Sequence, residues 1–334
     1  MIIKQNDMQH YVIAADIGGT FARFTCVNLD NLHMDKITIY PCAEFPDIET
    51  ALITYQKEHS LERIKQISIA IACPILGDIV SMTNCPWRFS IHELQQKLKL
   101  TKLKVINDFS AIAMSLPVLG HQELVPIGTC GNQDISKPRV VLGAGTGLGV
   151  AYLIPGQSGY MAYAGEGGHA NWGASTELEW FIYTFLKNKY ARVSCERLIS
   201  GPGLENLYTA IAAFHQQEVT SLSAVDITNL AIKGQCALAT ATVKQFFAIL
   251  GAFAGDLALT FGSFGGVYIA GGIVPRLLPL IHESEFRYEF ENKGRFNNFN
   301  SRIPTYIVTA EQPGLLGAAV YLKQSLIGEY DAVC

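Results

Sequence analysis

A strand, a glycine turn and a second strand occur twice in this chain, about 125 positions apart, and that repeat constrains the fold more than any other feature. The first unit is the apolar run Tyr11 to Ile17, the turn Gly18-Gly19-Thr20 and a strand from Phe21 to Leu29. The second is Val140-Val141-Leu142, the glycine-rich turn Gly143 to Gly149 and a strand from Val150 to Ile154. Strand, short turn and returning strand make a hairpin. Neither cluster therefore reads as the strand-to-helix turn of a dinucleotide fold, and Gly-x-x-x-x-Gly-Lys-Ser/Thr is absent.

Around each hairpin the chain alternates strands and helices. A third strand reads from Lys36 to Cys42, a helical segment from Pro46 to His59, and a buried strand from Gln66 to Cys73. Ser90 with Glu93 forms a capping-box signature for a helix through Leu100, and Leu103 to Asn107 returns as a strand, leaving Asp108 at its C-terminal end. In the second half Ser175 or Thr176 caps a helix through Tyr190, and Cys236 to Phe261 carries Leu238, Phe246, Ile249, Phe253 and Leu257 on one helical face. Val267 to Ala270 is a strand leading into Gly271-Gly272 and a helix at Pro275. Ile303 to Val308 is a late strand, and Gly314 to Leu326 a closing helix. At 334 residues and roughly 150 residues per domain, two domains are expected, with the boundary near 110 to 118 where the pattern restarts.

Composition narrows the function. Lys+Arg number 25 against Asp+Glu 29, a net charge of −4 that provides no general attraction for nucleic acid or an anionic membrane. The most apolar stretch, Phe246 to Ile273, contains Asp256 and several glycines, which suits a buried helix followed by a buried strand better than a membrane span. Eight cysteines at 26, 42, 73, 85, 130, 195, 236 and 334 include no CxxC pair, a spacing expected of reduced thiols in a cytoplasmic protein. Met1 to His10 lacks the features of a secretory signal.

The ordinary use of glycine in such turns is to adopt positive φ at no steric cost. Two such turns offer a second use, because their backbone N–H groups form a concave donor array for phosphate oxygens. Asp16, just before Gly18, places a carboxylate where a phosphate-bound Mg²⁺ would need one, through water, and Thr20 adds a hydroxyl. Asp108 fits either a helix N-cap or, beside two phosphate turns, a base that accepts the proton of an attacking hydroxyl. Glu166 and His169 stand three apart in a glycine-rich loop, as polar ligands for a polyol or as a metal half-site that no nearby Cys or acidic cluster completes.

Ala15-Asp16-Ile17-Gly18-Gly19-Thr20, Val105-Ile106-Asn107-Asp108-Phe109, Leu142 to Gly149, Gly165-Glu166-Gly167-Gly168-His169, Ser200-Gly201-Pro202-Gly203 and Ile269 to Arg276 follow one another in this order. Together they resemble the bacterial glucokinase family of the hexokinase–actin–Hsp70 superfamily over roughly residues 11 to 326. The resemblance implies an α/β, two-domain actin-like ATPase (ribonuclease H-like) fold with a cleft between domains. It implies a small domain of residues 1–115 completed by a C-terminal helix at 314–334, and a large domain at 116–313. It implies sugar binding by Asn107, Asp108, Glu166, His169 and Glu196, with Asp108 as catalytic base. ATP would lie on Asp16, Gly18, Gly19, Thr20, Gly145, Thr146, Gly147, Gly271 and Gly272, with Mg²⁺ near Asp16. At the first turn the family reads Gly-Gly-Thr-Asn-Ala-Arg, whereas Phe21 stands here in the asparagine's place and Arg23 is kept. Strand alternation puts Phe21, Arg23 and Thr25 on the cleft side and Ala22, Phe24 and Cys26 on the core side. The cysteine-rich zinc motif of the other bacterial sugar kinase group is missing.

The expected activity is ATP-dependent phosphorylation of D-glucose at its 6-hydroxyl. The alternatives are a kinase of another neutral hexose, mannose or fructose, and behind it a non-catalytic sugar- and nucleotide-binding regulator. Expected partners are the small-molecule substrate, without nucleic acid or membrane, with a homodimer as the self-association to test.

Overall fold

The computed structural model describes residues 10–82, 85–128, 131–157 and 159–327. Residues 1–9, Cys130, Cys334 and the tail 328–334 of the expected closing helix lie outside the described residues.

The first hairpin forms as its apolar runs dictate. Strands β1 (Tyr11–Ile17) and β2 (Phe21–Asn28) pair antiparallel, with Ile17 opposite Ala22 across the glycine turn, and β3 (Met34–Pro41) pairs antiparallel to β2. Helix α1 (Ile48–Glu58) starts where Asp47 accepts a hydrogen bond from the Thr50 amide, an N-cap that satisfies one orphan donor. Its buried face, including Leu52 and Tyr55, covers the sheet, and the Tyr55 ring stacks on Phe24 at 5.3 Å. The chain then returns as β4 (Gln66–Ile71), parallel to β1. A small hairpin that periodicity did not show follows, β5 (Ile79–Ser81) with β6 (Arg88–Ser90). Ser90 caps α2 (Ile91–Lys97) by accepting from the Glu93 amide, and β7 (Lys102–Asn107) runs parallel to β4 before α3 (Asp108–Ser115). The sheet order is β3-β2-β1-β4-β7.

The second half repeats that plan. β8 (Leu124–Pro126) precedes β9 (Arg139–Ala144), β10 (Leu148–Gly156) and β11 (Gly159–Gly165). Thr176, not Ser175, caps α4 (Glu177–Lys187), and Glu179 reaches back to complete the box. Helices α5 (Gly201–Phe214), α6 (Ala224–Ile232) and α7 (Ala237–Phe261) lead to β12 (Val267–Ala270), which pairs parallel to β9. The helix expected at Pro275 is a single 3₁₀ turn, Val274–Leu277, followed by the one-turn α8 (Leu278–Ile281). Pro275 opens the first piece, and Pro279, which has no N–H to donate back along the chain, keeps that piece from running on into the second. Two further short helices, α9 (Phe286–Glu291) and α10 (Asn297–Asn300), come before β13 (Thr305–Val308) and the closing helix α11 (Pro313–Ile327). The second sheet is ordered β11-β10-β9-β12-β13-β8. In each sheet three successive strands flank two later strands that lie beside the first of the three and run parallel to it.

The described residues divide into two compact units. One gathers the described residues through Leu119, Ala151–Ala164 and the described residues from Ala310; the other holds Gly120–Val150 and Gly165–Thr309. Helix α7, at 25 residues, is long and apolar enough to cross a membrane, yet most of it is buried among α5, α6 and α9, and β12 after it is buried throughout. Of the six described cysteines, all free, five are buried; burial pushes the thiols of Cys26, Cys42 and Cys73 up to about 11.

Gly251 of α7 lies so close to α9 that a Cβ there would stand 2.1 Å from the Phe286 carbonyl oxygen. Gly251→Ala gains roughly 1 kcal/mol of helix propensity but forces two backbones apart, at about 1–3 kcal/mol or more. The expected result is a net loss of stability, read as a lower urea midpoint with an unchanged m-value.

Candidate active site

Six of the expected site residues converge at the C-terminal ends of β1, β4 and β7 in the first unit. Register places Ile17 beside Ile71 and Ile71 beside Asn107, so Asp16 and Asp108 flank the end of β4. Open ends of parallel strands are where α/β sheets bind ligands.

Asn107 caps α3 through Oδ1, which accepts from the Ser110 amide at 3.1 Å, while its Nδ2 donates to Asp108 Oδ1 at 2.9 Å. The Phe109 amide also donates to that oxygen, at 2.9 Å. Asp108 Oδ1 is thus anchored twice, and no hydrogen bond to Oδ2 occurs among the described residues. Burial, then the charge of Asp16, push the Asp108 carboxyl up to about 7, against the pull of those two donors. Burial also raises Asp16, with Arg23 opposing it from 3.7 Å.

In the first turn the Gly18 amide donates to the Phe21 carbonyl and the Thr20 carbonyl accepts from the Cys42 amide. The amides of Gly19 and Thr20 carry no hydrogen bond among the described residues, so they are free to donate. Phe21 is 43% exposed and Arg23 is partly exposed, while Ala22, Phe24 and Cys26 are buried. Thr25, expected beside Phe21 and Arg23, is fully buried instead: it pairs with Ala14 in an unbroken ladder with β1, and the closing helix α11 packs on β1 and β2.

The second unit assembles the other set. Gly145 to Gly147 join β9 to β10, with the Gly145 amide donating to the Gly147 carbonyl and the Gly201 amide to the Gly145 carbonyl. The amides of Thr146 and Gly147 are likewise unengaged among the described residues. Glu196 comes onto this turn: its Oε2 accepts from the Leu148 amide at 3.0 Å, and a Cβ on Gly147 would stand 2.7 Å from that oxygen. The loop bearing Glu166 and His169 crosses the same residue, since a Cβ on Gly168 would fall 2.2 Å from the Leu148 carbonyl oxygen. Glu166 and His169 are exposed and 4.0 Å apart, and Arg192 braces their loop by donating to the His169 carbonyl and to Asn171 Oδ1.

Gly271 has a φ of +85°, and its Cβ would stand 2.5 Å from the Ala144 carbonyl oxygen; Gly272 has nothing within 4 Å of its own. By contrast Gly18, Gly143, Gly145 and Gly147 avoid positive φ. The conformational use of glycine holds only at Gly271, and at Gly143 and Gly147 the requirement is close approach.

One neighbour of Asp16 escaped sequence reasoning. A Cβ on Gly314, in the first turn of α11, would stand 3.1 Å from Asp16 Cγ and Oδ2. The missing side chain brings the N-terminal end of α11, favourable to a carboxylate, against Asp16. The sequence signal was Pro313 followed by glycine, a helix start.

Residues 13–325 match the glucokinase family. The chain belongs to the glucokinase family. It is 46% identical over 327 residues to the glucokinase of Colwellia psychrerythraea, covering 96% of this chain and 98% of that one. It is 42% identical to that of Shigella sonnei over 320 residues, covering 96% and 99%. Among solved structures, a glucokinase from an Antarctic psychrotroph superposes with a TM-score of 0.85 at 36% identity, covering 94% of this chain and 98% of that one. A glucokinase from Streptomyces griseus in complex with glucose and AMPPNP shares the fold, with a TM-score of 0.63 at 18% identity, covering 94% and 99%. The fold is accordingly the two-domain actin-like ATPase fold, and the chain is a sugar kinase that phosphorylates glucose, a step of glycolysis.

Gly314→Val should displace the Asp16 carboxylate. Misplacement by about 1 Å costs on the order of 10²-fold, so glucose phosphorylation should fall by roughly that factor while glucose affinity holds. Steady-state kinetics with equilibrium glucose binding check it.

Proposed function

We propose that this glucokinase transfers the γ-phosphoryl group of ATP to the 6-hydroxyl of glucose, with Asp108 as general base. The observation that carries the proposal is the Asp108 carboxyl, anchored at Oδ1 by Asn107 and Phe109 and raised to about 7. Oδ2 accepts the hydroxyl proton as that oxygen attacks the γ-phosphorus and ADP leaves. A base near 7 is partly ionised at neutral pH while retaining affinity for the proton, the compromise that general-base catalysis favours. Because phosphoryl transfer has a loose transition state, Asp108 orients the hydroxyl as much as it deprotonates it.

Asn107, Glu166, His169 and Glu196 are assigned to the sugar hydroxyls. Glu196 does this with Oε1, since Oε2 holds the second turn. The paired free amides of Gly19-Thr20 and Thr146-Gly147 are assigned to phosphate oxygens, supported by the AMPPNP held by the Streptomyces griseus relative. Gly271 and Gly272 are assigned to the nucleoside, where Gly272 faces open space.

Mg²⁺ fits the donor set. No group of three or more His, Cys, Asp or Glu forms a cage among the described residues, and Mg²⁺ characteristically uses one or two carboxylates with water and substrate phosphates. Asp16 would hold it through water, and the ion would supply charge neutralisation on the phosphates. The free thiols support a reducing, cytoplasmic setting.

Asp108→Asn should lower kcat by about 10² to 10⁴ with glucose affinity within a few-fold, as measured by coupled assay and equilibrium binding. In the wild type, kcat/KM should climb with pH through about 7 and level off above it, since the base is protonated below that value. Stability carries the opposite sign. The folded state keeps a proton on Asp108 between 3.8 and about 7 that the unfolded chain releases, so this group's contribution declines as pH rises through that window. Asp108→Asn should therefore melt higher than wild type at pH 8 and lose that advantage toward pH 4.

Glu166→Gln and His169→Ala should raise the KM for glucose roughly 5-fold to 150-fold, the equivalent of about 1–3 kcal/mol, and leave the KM for ATP nearly unchanged. A selective rise in the KM for ATP would move this loop to the nucleotide side. A hexose panel separates glucose from mannose and fructose.

A further inference from the structure

The residues assigned to sugar hydroxyls in the second unit come from two segments, and one side chain joins them. Glu166 and His169 stand in a loop with Gly165, Gly167 and Gly168, the residue type that loses most conformational freedom on ordering. Both side chains are exposed, and among the described residues the 4.0 Å contact between them is the only ion pair or hydrogen bond that either makes. The order of this loop therefore comes from its backbone. Its 3₁₀ turn, Gly167–His169, closes on the Glu166 carbonyl, which accepts from the His169 amide at 3.0 Å.

Beyond that turn the chain pairs with the segment that carries Glu196. The Trp172 amide donates to the Val193 carbonyl at 3.1 Å, the Cys195 amide donates to the Ala170 carbonyl at 3.0 Å, and Asn171 forms an isolated antiparallel bridge with Ser194. This short ladder begins at Ala170 and leaves the His169 carbonyl outside it. Arg192 reaches back across the gap. Its Nη2 donates to the His169 carbonyl and its Nε to Asn171 Oδ1, a fork that takes one acceptor on each side of Ala170. A planar guanidinium holds such a pair in fixed relative geometry, which the single ammonium of a lysine does not. Residues 192–196 thus carry Glu196 at one end and, at the other, the brace of the loop that bears Glu166 and His169.

We propose that Arg192 is a positioning residue for sugar binding: by clamping His169 and Asn171 to the Glu196 segment, it holds Glu166 and His169 in the orientation that receives glucose. The inference rests on the assignment of Glu166 and His169 to the sugar hydroxyls. Arg192 acts through the loop and not on the sugar. Without the fork, glucose itself must order the loop, and the apparent dissociation constant rises by the inverse of the fraction of molecules whose loop is already in place. The glycine turns assigned to phosphate are held by other contacts, so ATP affinity does not carry that cost.

The test is isothermal titration calorimetry with glucose, alongside steady-state kinetics, on the full chain. Arg192→Ala should raise both the dissociation constant and the KM for glucose roughly 3-fold to 10-fold, with kcat and the KM for ATP within about 2-fold of wild type. The melting temperature should stay near that of the wild type, because Arg192, His169 and Asn171 are all exposed. Arg192→Lys keeps the charge without the fork and should recover only part of the loss. Combined with His169→Ala, the two losses should amount to less than their product, because both act through one loop. Unchanged glucose affinity in Arg192→Ala, full recovery in Arg192→Lys, a complete product in the double variant, or an equal rise in the KM for ATP would each overturn the proposal. If His169→Ala by itself left glucose affinity unchanged, the sugar assignment of the loop would fall and the proposal with it, a result distinct from a loop that binds sugar without needing Arg192.

Discussion

The close approach of two carboxylates, Asp16 and Asp108, at the open ends of parallel strands is the constraint on which the first unit's chemistry depends. Parallel pairing of β1, β4 and β7 fixes it, because each strand ends level with its neighbour. Like charges in a partly buried place disfavour double ionisation, and the unit accommodates the conflict with local donors. Arg23 faces Asp16, two N–H groups hold Asp108 Oδ1, and the start of α11 comes against Asp16 because Gly314 has no side chain. What remains unbalanced is a demand for positive charge and a carboxyl whose proton affinity suits a neutral medium.

The second unit solves a different problem with the same strand plan. Its glycine turn must remain open at Thr146 and Gly147, and so it is secured from outside. Glu196 takes the Leu148 amide, Gly201 donates to Gly145, and Gly168 lets the Glu166–His169 loop lie directly on the strand. Residues read as sugar ligands therefore share a backbone residue with the second turn. Under the proposed assignments, sugar and phosphate sites would be linked within one unit through hydrogen bonds a few residues long.

Elements that are continuous apolar runs bounded by glycine were legible from residues alone. β1 and β12 have the bounds read from sequence, and α7 starts one residue later than its apolar face suggested. The Pro275 segment misled because proline opens helices as readily as it shortens them. β8 and β11 were invisible because three short residues or a glycine-flanked run carry little pattern. Asp108 at a strand end was visible, since the strand before it is apolar. Its proximity to Asp16 was not, because that follows from strand order and involves residues some ninety positions apart in the chain. The Glu196–Leu148 and Gly314–Asp16 approaches are tertiary in the same sense and leave no local periodicity.

The central claim is that Asp16 and the partial burial of Asp108 set the proton affinity of the carboxyl proposed as the base. Carbon-detected NMR titration of ¹³C-labelled aspartate, with Asp108 assigned through Asp108→Asn, measures it directly in the absence of substrates. The account predicts a midpoint near 7 that falls when Asp16 is replaced by Asn. An Asp108 midpoint near the ordinary carboxyl value of about 4, or one unmoved by Asp16→Asn, would contradict it.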